Sequence, residues 1–181
     1  SSTKTSTGQR LPGGRQLRPA MARGERGQDA IALLKADHRE VADMVESFEK
    51  ARGADKAALA RQIAAALTVH ARIEEELLYP QAREALDEED RDLIDEAEVE
   101  HASIKQLVAE IERGTPEDEH FDARVKVVGE YVQHHVKEEE RKLFPLLRKA
   151  KLDLKELGAQ LATRKAELAS EIEEGPKPSR H

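Results

Sequence analysis

The 181-residue chain contains no cysteine and no tryptophan, and aromatic residues make up only 3% of it. Without thiols, disulfides, thiolate zinc sites, iron–sulfur clusters and thiol catalysis are all excluded. Any metal would therefore be bound by histidines and carboxylates, a donor set that suits iron, manganese or zinc. The sequence also lacks an apolar run of membrane-spanning length and an apolar signal-peptide core, so we expect a cytoplasmic protein without a membrane partner.

Charged residues are abundant instead. They make up 37% of the chain, and Ala, Glu, Lys, Arg and Leu dominate its composition. Such a composition favours long helices, and the length fits a single all-α domain. Residues 1–27 carry six basic residues and one acidic residue, which leaves a net charge of −12 on the rest of a chain whose total is −7. This acidic body argues against nucleic acid as a main partner.

The two ends of the chain differ in composition from its middle. Residues 1–27 are rich in Ser, Thr, Gly and Pro and lack apolar periodicity, so we predict a disordered tail, with a second one at 175–181. The arginine-rich start is similar to a transit peptide, but Pro12-Gly13-Gly14 would break the amphipathic helix that such a peptide needs. Met21 is a candidate for the natural first residue.

Between the tails, apolar residues recur at steps of three and four, which is the period of an α-helix. Four helices are predicted at about 29–51, 55–86, 88–113 and 119–149, and a fifth at about 152–172. A kink is predicted at Pro80, because proline removes a backbone donor. The connections between the first four helices are short, so neighbours should be antiparallel. We therefore predict an up-down-up-down four-helix bundle at 28–150 and an additional C-terminal helix at 151–174.

One motif occurs twice within this region. HARIEEELLYP at 70–80 is followed 65 residues later by HVKEEERKLFP at 135–145, with His, Glu, Glu, Leu and Pro at the same offsets. Each copy contains a His followed four residues later by a Glu, and on a helix these side chains lie on one face, one turn apart. Two such pairs on facing helices would supply both walls of a metal site.

Six polar residues interrupt the apolar stripes of the four helices. Two of them are lone histidines, which precede the His-x-x-x-Glu pairs by 32 and 34 residues. Burying unpaired carboxylates costs several kcal/mol each, and a domain with a net stability of roughly 5–15 kcal/mol cannot absorb that without compensation. Bound metal ions would supply it, and a metal-free His–Glu network is the alternative. The candidate ligands are His38, His70, Glu74, His101, His135 and Glu139.

Other glutamates and histidines have competing interpretations. His134 and Glu138 are also four residues apart, but the apolar stripe and the repeat both favour the adjacent pair. Apart from the two candidate ligands, the glutamates of the runs at 74–76 and 138–140 are expected to be mostly solvated and to point away from the site. Glu75, the second Glu of its run, can accept a hydrogen bond from an imidazole. His120 and His181 are expected on the surface.

Three aromatic residues lie near the motif. Tyr79 and Phe144, which precede the two prolines, are expected to pack beside the site. Tyr131 lies one turn before His135 and is a candidate hydrogen-bond donor to a molecule bound at the metals.

Over about residues 29–150, the sequence resembles the hemerythrin-like, or HHE cation-binding, family. The resemblance rests on an order of motifs: a lone His, a His-x-x-x-Glu pair, a second lone His and a second such pair, with each pair followed by an aromatic residue and a proline. The resemblance implies a four-helix bundle with two iron ions in a non-heme centre. It also implies that the six candidate residues are the ligands and that the two glutamates bridge the irons. Zinc or manganese can occupy such a donor set as well.

The chain departs from the oxygen-carrying hemerythrins in two places. Lys105 stands where they have a second His one turn after the third-helix His, and His135-x-x-x-Glu139 stands where they have His-x-x-x-x-Asp. Fewer nitrogen ligands argue against reversible oxygen carriage, so the resemblance implies handling of oxygen, peroxide or nitric oxide in stress defence. Whether the chain is an enzyme stays open. The alternatives are an oxygen, iron or redox sensor that signals to a protein partner, and a metal-free structural bundle.

Overall fold

The computed structural model describes residues 27–175, and the predictions for residues 1–26 and 176–181 lie outside this range. Residues 27–175 are helical and contain no strand, and none of their helices has the length and apolar character that crossing a membrane requires. The long helices are α1 (Ala30–Lys50), α2 (Ala54–Ile73), α4 (Asp92–Arg113), α5 (Phe121–Glu138) and α7 (Leu154–Glu174). The short helices are α3 (Tyr79–Ala85) and α6 (Phe144–Lys149), and a 3₁₀ turn at Glu88–Arg91 precedes α4.

Two helix starts carry side-chain caps. The Asp29 carboxylate accepts a hydrogen bond from the Ala32 N–H at 2.8 Å, and the Asp153 carboxylate accepts one from the Glu156 N–H at 3.0 Å. Each bond satisfies a backbone donor that the first turn of a helix leaves without a partner. These caps place the starts of α1 and α7 within two residues of their predicted positions.

Each copy of the repeat contains a π-helical turn, whereas the sequence predicted only a kink at Pro80. The turns span Glu74–Leu78 and Glu139–Leu143. In each, the N–H of the following aromatic residue bonds to the carbonyl five residues back, so Tyr79 bonds to Glu74 and Phe144 to Glu139. The proline after the aromatic residue lies in the first turn of the next helix, where a missing N–H is tolerated. Each π-turn inserts one residue into the helical register, which changes the face that the following side chains occupy.

The apolar residues form two clusters, and the predicted ligands lie between them along the helices. One cluster surrounds the start of α1 and the ends of the repeats; its fully buried members include Ile31, Leu34, Ile73, Ile94 and Leu147. The other lies toward the opposite ends of the same helices and includes Val41, Ile63, Ile104, Val125 and Val128. In α1, for example, His38 lies between Leu34 of the first cluster and Val41 of the second.

Contacts between the long helices pair the end of one with the start of the next. The ammonium of Lys56, near the start of α2, lies 5.3 Å from the ring centroid of Phe48, near the end of α1. Glu110 near the end of α4 pairs with Arg124 near the start of α5 at 3.3 Å. Such pairings are expected of antiparallel neighbours.

The C-terminal helix α7 packs against α1 and α2. Its residues Leu157, Leu161 and Leu168 are buried in the first apolar cluster. Gly158 lies against the start of α1, where an added Cβ would come within 2.4 Å of the Gln28 carbonyl oxygen. Ile172, near the end of α7, is 45% exposed.

Candidate metal centre

The six predicted ligands lie together as one buried cluster, with exposed fractions from 0% for Glu74 to 8% for His70. The helices α1, α2, α4 and α5 each contribute one histidine, and the two glutamates are the first residues of the π-turns. The Nε2 atoms of the histidines meet in pairs, His38 with His70 at 3.1 Å and His101 with His135 at 3.0 Å. The packing of the helices therefore brings two pairs of imidazoles to one level of the core.

The ligand atoms form two groups of four that share both carboxylates. One group contains the His38–His70 pair and the other contains the His101–His135 pair, and within each group the atoms lie within 4.8 Å of one another. Glu74 reaches both groups, because its Oε1 lies 3.0 Å from His70 Nε2 and its Oε2 lies 3.1 Å from His101 Nε2. Glu139 contacts His135 Nε2 through Oε1. Two carboxylates shared in this way are suited to bridging two cations.

Each imidazole is oriented by a carboxylate at its other nitrogen. The four contacts at Nδ1 are His38 with Glu140 at 2.9 Å, His70 with Asp37 at 3.2 Å, His101 with Glu75 at 3.0 Å and His135 with Glu100 at 2.6 Å. A carboxylate accepts a hydrogen bond, so each Nδ1 carries a proton, and Nε2 is the nitrogen that faces the cluster. That is the tautomer in which a histidine binds a metal through Nε2.

Of these four acceptors, only Glu75 was predicted. Glu140 was expected to point away from the site, and that expectation was wrong: Glu140 holds the same π-turn position as Glu75 and lies against His38. Asp37 and Glu100 directly precede the lone histidines in the sequence but bond to histidines of neighbouring helices. The sequence does show an acidic residue before each lone histidine, but which histidine that residue bonds to depends on how the helices pack.

The buried cluster contains more acceptors than donors. When Nε2 of each histidine carries no proton, each pair brings two lone pairs together, and Glu74 Oε1 and Glu139 Oε2 are buried without a hydrogen-bond donor among the residues described. Leaving a buried acceptor without a partner costs about 1–3 kcal/mol, and more when the group is charged. Cations bound between the histidine pairs would satisfy these lone pairs, so imidazole and carboxylate donors of this arrangement fit a metal site.

The pKa values of two histidines show the same need for positive charge. Burial by itself lowers the pKa of His70, but the negative charge of Glu74 and hydrogen bonds with Asp37 and Glu74 raise it to about 10. Burial also lowers the pKa of His135, but its hydrogen bond to Glu139 and the charge of that carboxylate raise it to about 11. The carboxylates therefore create a site that favours a cation, whether a proton or a metal.

Tyr79 was predicted to pack beside the site, and instead its hydroxyl lies within hydrogen-bond distance of the ligands. The oxygen is 3.2 Å from Glu74 Oε2, 3.2 Å from His101 Nε2 and 3.5 Å from Glu139 Oε1. Burial and the negative charges of the two carboxylates raise the pKa of Tyr79 well above its usual value, so the hydroxyl stays protonated and donates a hydrogen bond. Tyr79 therefore gives the shared carboxylates a hydrogen-bond donor that the sequence interpretation missed.

The other two aromatic residues lie apart from the ligand oxygens. Phe144, the counterpart of Tyr79 in the repeat, packs as predicted: its ring is parallel to that of His38 with the centroids 6.0 Å apart. Tyr131 is 48% exposed, so the prediction that it faces the metals is wrong. Although Tyr131 lies one turn before His135, its side chain occupies the solvent side of α5.

The competing pair on α5 lies at the surface. The His134 side chain is 67% exposed, with Nε2 3.5 Å from Glu100, and Glu138 pairs with Lys142 at 2.5 Å. His120 is also exposed, as predicted. The buried positions on α5 and its π-turn are therefore His135 and Glu139, in the register that the repeat favoured.

A small cavity adjoins the histidines on the side of the second apolar cluster. It has a volume of about 20 Å³ in which water-sized molecules can be centred, and its walls include Val41, Leu67, Ile104 and Val132. A volume of roughly 10–15 Å³ on this measure holds one water. The cavity therefore accommodates a molecule of a few atoms beside the imidazoles.

The sequence and the fold both match known proteins. The model of the hemerythrin HHE cation-binding domain matches residues 29–147. The chain belongs to this family. Hemerythrin HHE domains bind metal cations, and the buried cluster supplies the ligands that such binding needs.

A solved structure and a curated sequence extend this comparison. The fold is similar to that of a hemerythrin HHE cation-binding domain-containing protein from Mycobacterium kansasii, with a TM-score of 0.68 and 23% identity over 79% of this chain and 88% of that one. The sequence is 31% identical over 118 residues to a protein of a Nostoc species called a DNA nickase. That match covers 64% of this chain and only 32% of the Nostoc protein.

Proposed function

We propose that this hemerythrin HHE protein binds two iron ions between its histidine pairs and handles oxygen, peroxide or nitric oxide in stress defence. The observation that carries the proposal is that two groups of four ligands share Glu74 and Glu139. Each group offers two imidazoles and two carboxylates, which are donors that iron accepts. Bound iron would supply the redox chemistry toward small oxygen- or nitrogen-containing molecules.

The proposal assigns residues 28–150 to an up-down-up-down bundle and residues 151–174 to an additional helix. The end-to-start contacts of α1 with α2 and of α4 with α5 support antiparallel neighbours. In such a bundle the histidines of four helices converge in the core while the loops stay at the two ends.

Residues of this chain hold the ligands in place before any metal is bound. The four carboxylates at the Nδ1 atoms fix the orientation of the rings and direct each Nε2 into the cluster. Loss of a partner of this kind typically lowers metal affinity by about 10–100-fold. Tyr79 keeps its proton and donates to the carboxylates common to both groups.

The cavity beside the histidines supports a small reactant. Its volume of about 20 Å³ admits a molecule of a few atoms, and Val41, Leu67, Ile104 and Val132 give it apolar walls. An organic substrate of ordinary size would require these helices to separate. Diatomic molecules and peroxide fit the space without such a change.

Lys105 supports the argument against reversible oxygen carriage. Its side chain is 48% exposed and pairs with Glu75 at 2.5 Å, so α4 directs a single imidazole toward the metals. A lysine bound to a carboxylate at the surface cannot replace a nitrogen ligand in the core. The metals would therefore keep more open coordination, which favours reaction over carriage.

Nicking of DNA does not extend to this chain under the proposal. The match to the Nostoc protein covers 32% of its length, and residues 28–181 carry a net charge of −12. An acidic body repels the phosphate backbone. A plasmid-nicking assay with the iron-loaded chain tests this point, and we expect no relaxed plasmid beyond that produced by free iron at the same concentration.

The experiment that tests the function combines metal analysis with peroxide turnover. After expression with added iron, we expect about two irons per chain, the number of ligand groups, and peroxide consumption above that of a Glu74→Ala control. Two irons without turnover, together with an oxygen-dependent change in protease cleavage of α7, would favour the sensor. A metal-free chain of full stability would favour a structural bundle.

A further inference from the structure

We propose that Lys165 of α7 is a positioning residue for His70, acting through Asp37, so that the C-terminal helix forms part of one half of the metal centre. The Lys165 ammonium lies 2.6 Å from Asp37 Oδ1, and Asp37 Oδ2 lies 3.2 Å from His70 Nδ1. One carboxylate thus links α7 to a ligand on α2. The inference rests on the proposed metal-binding function.

Asp37 needs a second partner to orient His70. Its side chain is 9% exposed, so little water reaches it, and a buried carboxylate needs hydrogen bonds to its remaining lone pairs. Lys165 holds Oδ1, and this leaves Oδ2 directed at the imidazole. Without the ammonium, the carboxylate can rotate about its Cβ–Cγ bond and the Nδ1–H loses its aligned acceptor.

The packing of α7 fixes the position from which Lys165 reaches Asp37. Leu161 and Leu168, on either side of it in the helix, are buried in the first apolar cluster. Gly158 allows the backbone of α7 to approach the start of α1. The bond of the adjacent Arg164 to Glu76 at 2.7 Å lies at the surface and does not reach Asp37, so the buried leucines and Gly158 are what fix this part of α7. Lys165 therefore starts from a well-held backbone, although its own side chain is 40% exposed.

The link is confined to one of the two ligand groups. The acceptor of His101 is Glu75, which pairs with Lys105 of α4. The acceptor of His135 is Glu100, which has His134 of α5 at 3.5 Å. Among the contacts at the four Nδ1 acceptors in residues 27–175, only the one at Asp37 comes from α7. The two metal positions should therefore depend differently on the C-terminal helix.

The test measures iron release from the full chain into an excess of chelator. Lys165→Met removes the ammonium and keeps the length of the side chain, Lys165→Arg keeps the charge, and Arg164→Met breaks the neighbouring contact of α7 without touching Asp37. We expect Lys165→Met to release one iron about tenfold faster than wild type and the other at the wild-type rate, in line with the effect of other groups that orient metal ligands. Lys165→Arg should release iron nearly as slowly as wild type, because it keeps the charge. Arg164→Met should release both irons at close to the wild-type rates.

A double-mutant cycle with Asp37→Asn shows whether Lys165 acts through Asp37. When Asp37→Asn is already present, the Lys165→Met change should have no further effect on iron release. A wild-type chain that holds two irons, with Lys165→Met releasing both at wild-type rates, overturns the inference and leaves the proposed function intact. Equal acceleration of release by Lys165→Met with and without Asp37→Asn also overturns the inference and leaves the proposed function intact. A wild-type chain that holds no iron contradicts the proposed function itself, and the inference with it.

Discussion

Glu74 and Tyr79 lie five residues apart and meet on one face of a π-helical turn, with the tyrosine oxygen 3.2 Å from Glu74 Oε2. In an uninterrupted α-helix, the residue four positions after Glu74 would take that place, and it is a leucine. The turn therefore converts a position for packing into one that donates a hydrogen bond to a ligand. Its backbone geometry decides which side chain reaches the Glu74 carboxylate.

The Tyr79 hydroxyl should stabilise the chain even without metal. Tyr79→Phe removes the donor to the buried Glu74 and Glu139 and leaves their oxygens less satisfied, at an expected cost of about 1–3 kcal/mol. Urea unfolding of the metal-free protein measures the difference. Tyr131→Phe is the matched control on the surface and should change the free energy of unfolding by less than about 0.5 kcal/mol. Equal stability of both variants would contradict a role for the buried hydroxyl.

The two shared glutamates should matter more for metal binding than their neighbours. Glu74→Ala or Glu139→Ala removes a negative charge that offsets both metals, so we expect the loss of at least one iron and of iron-dependent near-ultraviolet absorption. Glu76→Ala and Glu138→Ala should keep the iron content of wild type, because both side chains form ion pairs at the surface. If Glu138→Ala removes the metal and Glu139→Ala does not, the ligand on α5 is His134.

Glu100 should affect metal binding although it is not a predicted ligand. Its carboxylate lies 2.6 Å from His135 Nδ1, so Glu100→Ala removes the acceptor that orients that ring. We expect metal affinity to fall about 10–100-fold, which competition with a chelator measures. Glu96→Ala, one turn earlier on the exposed side of α4, is the control and should bind metal as wild type does. An unchanged affinity in Glu100→Ala would show that packing alone orients His135.

The attachment of α7 should weaken in acid. The hydrogen bond from Arg164, with a further one from Arg72, lowers the pKa of Glu76 to about 2. A carboxylate whose pKa is lowered on folding contributes stability above its unfolded value of about 4.3, and this contribution is lost as the pH falls toward about 2. Hydrogen exchange of α7 should therefore speed up across that window in the metal-free protein. In Arg164→Met the pH dependence should be smaller; an identical profile would rule out this ion pair as its cause.

The sequence predicted the helices and the buried cluster because both depend on local periodicity. Apolar steps of three and four placed the helix bounds to within a few residues, and the repeat of His-x-x-x-Glu selected His135 over His134. Each of these signals repeats within one helix, where spacing alone determines the face of a residue.

The remaining features depend on geometry that spacing does not contain. The π-turn changes the register after Glu74, which is why Tyr79 was expected only to pack beside the site. Asp37 bonds across to α2 and to α7, so its role follows from the packing of three helices. A polar residue on a helix can be assigned to a face from the sequence, but its partner on another helix cannot.

The central claim is that two metal ions lie between the histidine pairs and share two carboxylates. An anomalous difference map at the iron edge, from crystals of the iron-loaded protein, tests it most directly. We expect two peaks about 3.5–4 Å apart, as in other paired metal sites, one against His38 and His70 and the other against His101 and His135, with Glu74 and Glu139 reaching both. A single peak, or a peak at His134 on the surface of α5, would contradict the claim.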